Sequence, residues 1–254
     1  MGAGHAHKLH VHGHSVVHRL PAHVKLLALL AFLIVVVATP REAFWAFGVY
    51  ALLLGIVASV AGIGPRFIVP RMAVEIPFVV FALLLPFIAV GEKVDVLGIP
   101  MSEAGLLGAW NILAKGTLGV VASILLAATT EPRDIILGLQ RLRVPQTMVQ
   151  IMAFMIRYAD VVGDDMRRMR IARESRAFEG RSLAHLKVVA QSAGALFIRS
   201  YERGERVHLA MLSRGYDGRL PAFNAPAASM RSWATAATLP VCAALVALTA
   251  WMTM

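Results

Sequence analysis

Two arginines stand in matching surroundings 38 residues apart. Residues 172–181 read Ala-Arg-Glu-Ser-Arg-Ala-Phe-Glu-Gly-Arg and residues 210–219 read Ala-Met-Leu-Ser-Arg-Gly-Tyr-Asp-Gly-Arg, with five identities, no gap, and Ala/Gly, Phe/Tyr and Glu/Asp exchanges in three further columns. A guanidinium between small neighbours can enter a groove and make forked hydrogen bonds to a carboxylate, which lysine does less well. Ser175, Ala177, Ser213 and Gly215 are small enough for that approach, and Phe178 and Tyr216 are candidate apolar anchors. Each copy then reaches a glycine, Gly180 or Gly218, able to end a helix. The chemistry indicated is docking through Arg176 and Arg214. The simpler reading of one copy, a cation at the negative end of a helix worth about 0.3–1 kcal/mol, is weakened because the aromatic and the glycine recur in both copies.

A different chemistry is suggested at the N-terminus. The first 23 residues hold seven of the nine histidines and no acid. His5, His7, His10, His12 and His14, with His18 and His23 behind them, are candidate imidazole ligands for Co, Ni, Cu or Zn. Their composition sets no coordination geometry, and a disordered, weakly binding tail is the competing reading. The segment lacks the long apolar core of a signal peptide and reads as a polar tail.

Positioning these groups falls to a very apolar chain. Of 254 residues 58% are hydrophobic and 16% charged, with a mean hydropathy of +0.68, too apolar for an ordinary soluble domain. Five runs read as transmembrane helices, at residues 24–39, 43–62, 73–90, 105–129 and 232–252, the first somewhat short. Pro77 and Pro86 are expected to kink the third. The net charge of +10 suggests no nucleic-acid partner, because 17 of the 25 Lys and Arg lie between Glu131 and Arg231 together with 10 of the 15 acids. That mixture fits a solvated, partner-facing segment. Cys242, the single cysteine, reads as a small hydrophobe in an apolar run.

Loop charges orient the chain. Arg66 and Arg71 follow the second span, whereas Glu92, Asp95 and Glu103 accompany Lys93 alone after the third. The bias of basic residues to the cytoplasm puts the N-terminal tail and residues 131–231 inside and Met254 outside. The expected organisation is a tail at 1–23, four spans within 24–130, a cytoplasmic domain at 131–231, and a last span at 232–254. The fold class is thus an all-α polytopic membrane protein with about five transmembrane helices and a cytoplasmic coupling domain of long amphipathic helices.

Within 131–231, Thr130-Glu131-Pro132 starts a helix whose face carries Ile135, Ile136, Leu139 and Leu142, until Val144-Pro145 stops it. A second helix carries Met148, Met152, Met155, Ala159, Val162, Met166 and Met169 at spacings of four and three, the seam of a helix packed on another. Core packing explains these methionines better than a copper site does. At ~1.5 Å per residue this helix is a rod of about 45 Å ending at Arg176. A third helix is expected over about 183–203, a short one from about Glu205 to the second decamer, and a linker at 221–226.

Inside the spans, Lys115 and Asn111 lie one turn apart, and an intramembrane lysine is a functional candidate. Pairing of Lys115 with a carbonyl or a neighbouring helix is favoured over substrate contact. Glu75 is read as reaching the membrane interface. The frequent Gly, Ala and Ser of spans two and four allow close helix packing or mark a partner-facing surface.

The Ser-Arg-Ala and Ser-Arg-Gly triplets, ending two helices in a basic segment behind four spans, resemble the paired Ala-Arg-Gly signatures of the transmembrane T component of energy-coupling-factor (ECF) transporters. Residues 18–26, His-Arg-Leu-Pro-Ala-His-Val-Lys-Leu, are similar to the N-terminal pattern of the CbiQ branch, which serves cobalt or nickel uptake. Arg157-Tyr158 and residues 209–216 resemble that branch as well. The signature differs here at Ser175 and Ser213, where it has Ala, and at Ala177, where it has the Gly able to take a left-handed cap.

The resemblance implies a non-enzymatic coupling subunit in the plasma membrane, with no tightly bound cofactor. Its arginine-bearing helix ends would insert into two ATP-binding-cassette ATPase subunits, where ATP hydrolysis takes place. Its membrane helices would hold a substrate-binding integral membrane subunit. The implied cargo is cobalt, a supply step for cobalamin biosynthesis, or nickel. A vitamin system is the alternative within the family. A stand-alone divalent cation carrier with a His-rich regulatory tail is the alternative outside it, but its spans would offer only Glu75 as an acid and no histidine. A His-box membrane enzyme would need facing His clusters at span ends.

Overall fold

Each long apolar run forms a helix in the computed structural model, which describes residues 11, 13–89, 93–96, 99–176, 186–217 and 228–253. The elements are α1 (Val16–Arg19), α2 (Ala22–Ala38), α3 (Phe44–Ala61), α4 (Pro65–Ile68) continued by a 3-10 segment (Val69–Glu75), α5 (Ile76–Ile88), β1 (Lys93–Val96), β2 (Ile99–Ser102), α6 (Glu103–Thr129), α7 (Pro132–Arg141), α8 (Gln146–Glu174), α9 (Leu186–Leu212) and α10 (Met230–Met252). The class is all-α and polytopic. Among the described residues, α3, the continuous stretch Pro65–Ile88, α6 and α10 are long and apolar enough to cross a membrane. The 17 residues of α2 reach about 26 Å, at the short end of what a bilayer core of ~30 Å accepts.

Three expectations change. The third apolar helix begins at Pro65 rather than near residue 73, and its first half tightens into the 3-10 segment. Pro77 lies in the first turn of α5, where a missing N–H costs nothing, so only Pro86 lies inside a helix there. The link to α6 holds a two-stranded antiparallel hairpin, with Lys93 opposite Ser102 and Val96 opposite Ile99. Strands of four residues are too short to show a period in the sequence. The side chain of Ser102 then caps α6 by accepting from the Gly105 N–H at 3.4 Å.

The described residues fall into two compact units, one drawn from Leu9–Gly138 with Pro226–Met254 and one from Leu139–Ala225. In the first, Phe32, Tyr50 and Leu54 are fully buried with Leu118 and Leu125. The Tyr50 hydroxyl shares a hydrogen bond with Thr39 Oγ1 at 2.9 Å and reaches the Ala243 carbonyl at 3.4 Å, tying three helices at a polar point. Ala236, Ala243 and Ala250, seven residues apart on α10, are buried and allow the close approach that membrane helices rely on when lipid removes the hydrophobic driving force. Gly105 is needed for the same reason. A Cβ there would lie 2.7 Å from both the Leu85 carbonyl and Pro86 Cα. Large apolar side chains such as Ile34, Leu83 and Ile88 point outward, as lipid contact allows, and Cys242 is exposed on α10.

The start of the described chain is held by polar contacts. Val11 N–H donates to the Ala128 carbonyl at 2.9 Å, and His18 Nε2 donates back to the Val11 carbonyl at 3.0 Å while Nδ1 meets Ser15 Oγ at 2.7 Å. Lys25, only 7% exposed, donates to the Thr129 carbonyl at 2.8 Å, Thr130 Oγ1 at 3.1 Å and the His18 carbonyl at 3.4 Å. The resembling segment 18–26 is therefore a staple on the C-terminal end of α6.

Candidate functional site

Helices α8 and α9 carry the two arginines. Pro145 precedes α8, and α7 ends just before it through Arg143 in the left-handed region, with Val144 N–H bonded to the Leu139 carbonyl at 3.3 Å. An exposed Arg170–Glu174 pair at 2.7 Å spans the last turn of α8, worth about 0.3–0.5 kcal/mol. Helix α9 is one helix where two were expected. It passes through Gly204 without a break because Arg203 is paired with Asp165 of α8 at 2.9 Å and Glu202 and Arg206 lie one turn apart across the glycine.

The two helix ends share a hydrogen-bond pattern residue by residue. Ser175 N–H bonds to the Ile171 carbonyl at 2.9 Å and Ser213 N–H to that of Leu209 at 3.0 Å. Arg176 and Arg214 N–H groups bond to Arg173 and Met211 carbonyls, both at 3.0 Å. The serine hydroxyls fold back on the carbonyls of Ala172 at 3.1 Å and Ala210 at 3.0 Å. Both arginines are exposed, and among the described residues neither makes an ion pair. Gly215, at φ +80°, closes the second end: its N–H bonds to Leu212 and that of Tyr216 to Met211, a Schellman cap. The capping glycine is thus inside the triplet. Gly180 and Gly218, like Ala177 and Phe178, lie outside the described residues.

The crossing of the helices follows the same repeat. Asp165 and Arg203 are themselves 38 residues apart. From each, eleven residues lead to its arginine, 165 to 176 and 203 to 214, about 16 Å of helix per arm. The helices run antiparallel, since Tyr216 beyond the end of α9 donates its hydroxyl to Gln150 Oε1 near the start of α8, at 2.9 Å. Arg176 and Arg214 therefore stand at opposite ends of two equal arms. Tyr216, half-buried, spends its hydroxyl inside the chain and stacks edge-on with His208.

The methionine seam is only partly covered. Met148, Met155 and Met166 are exposed, Met155 to 65%, while Met152, Val162 and Met169 are half-buried. A stripe with seam spacing has a partner only where α9 crosses it. Asp165, Arg203 and Gln150 escaped the sequence reading, although the 38-residue offset pairs the first two.

In the membrane unit, Lys115 donates to the Val37 carbonyl at 2.8 Å, the carbonyl pairing expected. Asn111 Oδ1 is buried with no donor among the described residues. Glu75 does not reach an interface. It is 4% exposed and accepts from Thr117 Oγ1 at 2.6 Å, because the 3-10 segment turns it toward α6. Gly116 leaves the room, since a Cβ there would lie 3.2 Å from Glu75 Oε1. Of the proposed metal ligands, His5, His7, His10 and His12 lie outside the described residues and His14 is exposed. Among the described residues no three His, Cys, Asp or Glu side chains converge.

A sequence model of the CbiQ family, described as a cobalt transport protein, matches residues 13–223. The chain belongs to that family. The CbiQ match covers both arginine triplets, the staple at Lys25 and the crossing helices. The chain is 26% identical over 223 residues to the energy-coupling factor transporter transmembrane protein EcfT of Bacillus selenitireducens, covering 82% of each. It is 24% identical over 180 residues to the cobalt transport protein CbiQ of Rhodobacter capsulatus, covering 68% of this chain and 74% of that one. An uncharacterised protein of Methanocaldococcus jannaschii is 30% identical over 130 residues, spanning 50% of this chain and about half, 48%, of its own length. The chain is a multi-pass transmembrane T component of the ECF type and not an enzyme.

Proposed function

We propose that this CbiQ-family chain couples two ATP-binding-cassette ATPases to a substrate-binding membrane subunit, with Arg176 and Arg214 as the two docking points. The observation that carries the reading is the equivalence of the two helix ends, each an exposed arginine held by the same backbone pattern at the tip of an arm of about 16 Å. A pair of identical ATPases offers two equivalent grooves, and the repeat supplies two equivalent plugs. Closing of the ATPases on ATP moves the two tips together, and rigid helices pivoting at the Asp165–Arg203 crossing carry that motion to the substrate subunit. In this reading the coupling unit and the N-terminal tail are cytoplasmic and the C-terminus is outside, an orientation supported by the bias of basic residues such as Arg66 and Arg71 toward the cytoplasm.

The test is co-purification of the assembled transporter with Arg176→Ala and Arg214→Ala combined. Loss of both ATPases with retained folding is expected, and full assembly and transport in the double variant would sink the reading. Cobalt or nickel is the cargo this reading favours, because the matched family and the Rhodobacter capsulatus relative carry the name of cobalt transport. Uptake of a vitamin with no metal uptake would overturn that choice. His5, His7, His10, His12 and His14 buffer the arriving metal at the exit. Removing residues 2–14 is expected to lower import or metal tolerance at limiting supply, and no change in either refutes it.

A further inference from the structure

A cavity of about 280 Å³ lies in the membrane unit where α1, α2, α3, α6 and α10 meet, beside the Lys25 staple. Leu20, Leu29, Val57, Leu125 and Leu239 give it apolar walls. Val16, Ile56 and Val60 also line it and are half or more exposed, so it opens on the apolar outer surface of the unit. Along the helices it sits at the level of a membrane interface, between the start of α2, the end of α6 and the start of α10. Trp233, partly exposed near the start of α10, meets His23 edge-on at 6.0 Å, in the place that amphipathic rings take at a bilayer surface.

The polar groups that line the cavity are already engaged. Lys25 Nζ donates to the Thr129 and His18 carbonyls and to Thr130 Oγ1. The hydroxyls of Thr129, Thr235 and Thr238 donate to the carbonyls of Leu125, Arg231 and Thr235, each within its own helix, at 2.8, 2.9 and 2.8 Å. A polar ligand inside would lose water and gain no new partner, so the interior favours hydrocarbon. Charge stands beside the cavity instead. Arg19 precedes the lining Leu20, and Arg231 lies one helical turn before the lining Thr235. Both arginines are exposed, and among the described residues neither makes an ion pair. Residues 13–25 and 228–253, which carry them, contain no acid.

We infer that this cavity takes one acyl chain of an anionic phospholipid, whose phosphodiester is held by Arg19 and Arg231. An apolar interior at interface depth suits the chain, and forked guanidinium hydrogen bonds suit the phosphate. The lipid comes from the cytoplasmic leaflet in the orientation proposed above, where anionic headgroups attract basic segments. A metal ion is a poor fit, because no His, Cys, Asp or Glu lines the cavity. The bound lipid joins α1, and with it the staple on α6, to the last span. The inference concerns the membrane unit alone and stands whether or not the arginines of α8 and α9 dock ATPases.

Native mass spectrometry of the full chain in detergent, titrated with phosphatidylglycerol or with phosphatidylcholine of the same acyl chains, tests it. One phosphatidylglycerol per chain is expected to be held roughly thirtyfold more tightly than phosphatidylcholine, about fivefold for each arginine beside an anionic headgroup. Arg19→Gln combined with Arg231→Gln should bring phosphatidylglycerol to the level of phosphatidylcholine. Thr238→Phe, which fills the cavity from an exposed position on α10, should weaken both lipids about tenfold. Equal binding of the two lipids by the unsubstituted chain, or unchanged phosphatidylglycerol binding in either folded variant, overturns the inference. Displacement by glycerol 1-phosphate at equal concentration does the same, since it would mark a phosphate site with no use for the cavity. Retention of no lipid, as a cavity reserved for a partner's helix would give, also overturns it. On the unsubstituted chain, phosphatidylglycerol with a photo-reactive acyl chain is expected to label α3 or α10 at the cavity, and labelling confined to other helices counts against the site.

Discussion

Gly215→Ala isolates the backbone of one of the two proposed docking ends. Gly215 sits at φ +80°, a conformation costing an L-residue about 1–2 kcal/mol, and a Cβ there meets nothing within 4 Å, so the cost is conformational and not steric. It falls on a cap of two hydrogen bonds, Gly215 N–H to Leu212 and Tyr216 N–H to Met211. A penalty of ~1–2 kcal/mol lowers the closed-to-open ratio roughly 5–30-fold. Hydrogen exchange read by mass spectrometry should show protection at residues 215–216 falling by that factor, with Gly215→Asn between the two because asparagine tolerates the left-handed region. Exchange elsewhere in α9 should stay unchanged, since Arg203 still holds its middle to Asp165. Unaltered protection at 215–216 in Gly215→Ala would show that the left-handed glycine does not hold this end. ATPase-driven transport should fall with protection if cap geometry sets how Arg214 is presented.

Lys25→Met keeps the apolar stem and removes three donated hydrogen bonds, to Thr129, Thr130 and His18. A loss of about 1–3 kcal/mol is expected in thermal unfolding of the detergent-solubilised protein, with earlier proteolysis ahead of residue 25. Gly105→Ala drives a Cβ into the α5 backbone at Leu85 and Pro86, and about 1–3 kcal/mol of destabilisation is expected. An unshifted unfolding midpoint would show that α5 and α6 separate freely.

The membrane helices were legible because lipid imposes a simple rule: about twenty apolar residues satisfy their own backbone as a helix. The arginine pair was legible because a repeat of type and spacing survives in one dimension. The repeat announced two equivalent sites before any contact was known, and the match to CbiQ over residues 13–223 agrees with the family suggested by those triplets. Short elements were not legible. The β1–β2 hairpin is too brief for a period, and α9, expected as one helix over about 183–203 and a short one from about Glu205, runs unbroken through the weak helix former Gly204.

Only the tertiary structure decided what the polar residues touch. Glu75 was assigned to an interface from its place near the end of an apolar run. The 3-10 segment, which no pattern foretold, turns it onto Thr117 instead. The methionine seam implied a helix laid along α8, but its spacing cannot distinguish a partner that follows from one that crosses. The Asp165–Arg203 pair fixes the crossing and makes the two arms equal. Sequence alone therefore indicated the bilayer as solvent, the long apolar helices and the recurrence of the two arginines, all carried by local composition and spacing. The Asp165–Arg203 pair, the Thr117–Glu75 bond and the contact of Lys115 with the Val37 carbonyl depend on groups brought together from separate helices, and a linear pattern does not contain that relation.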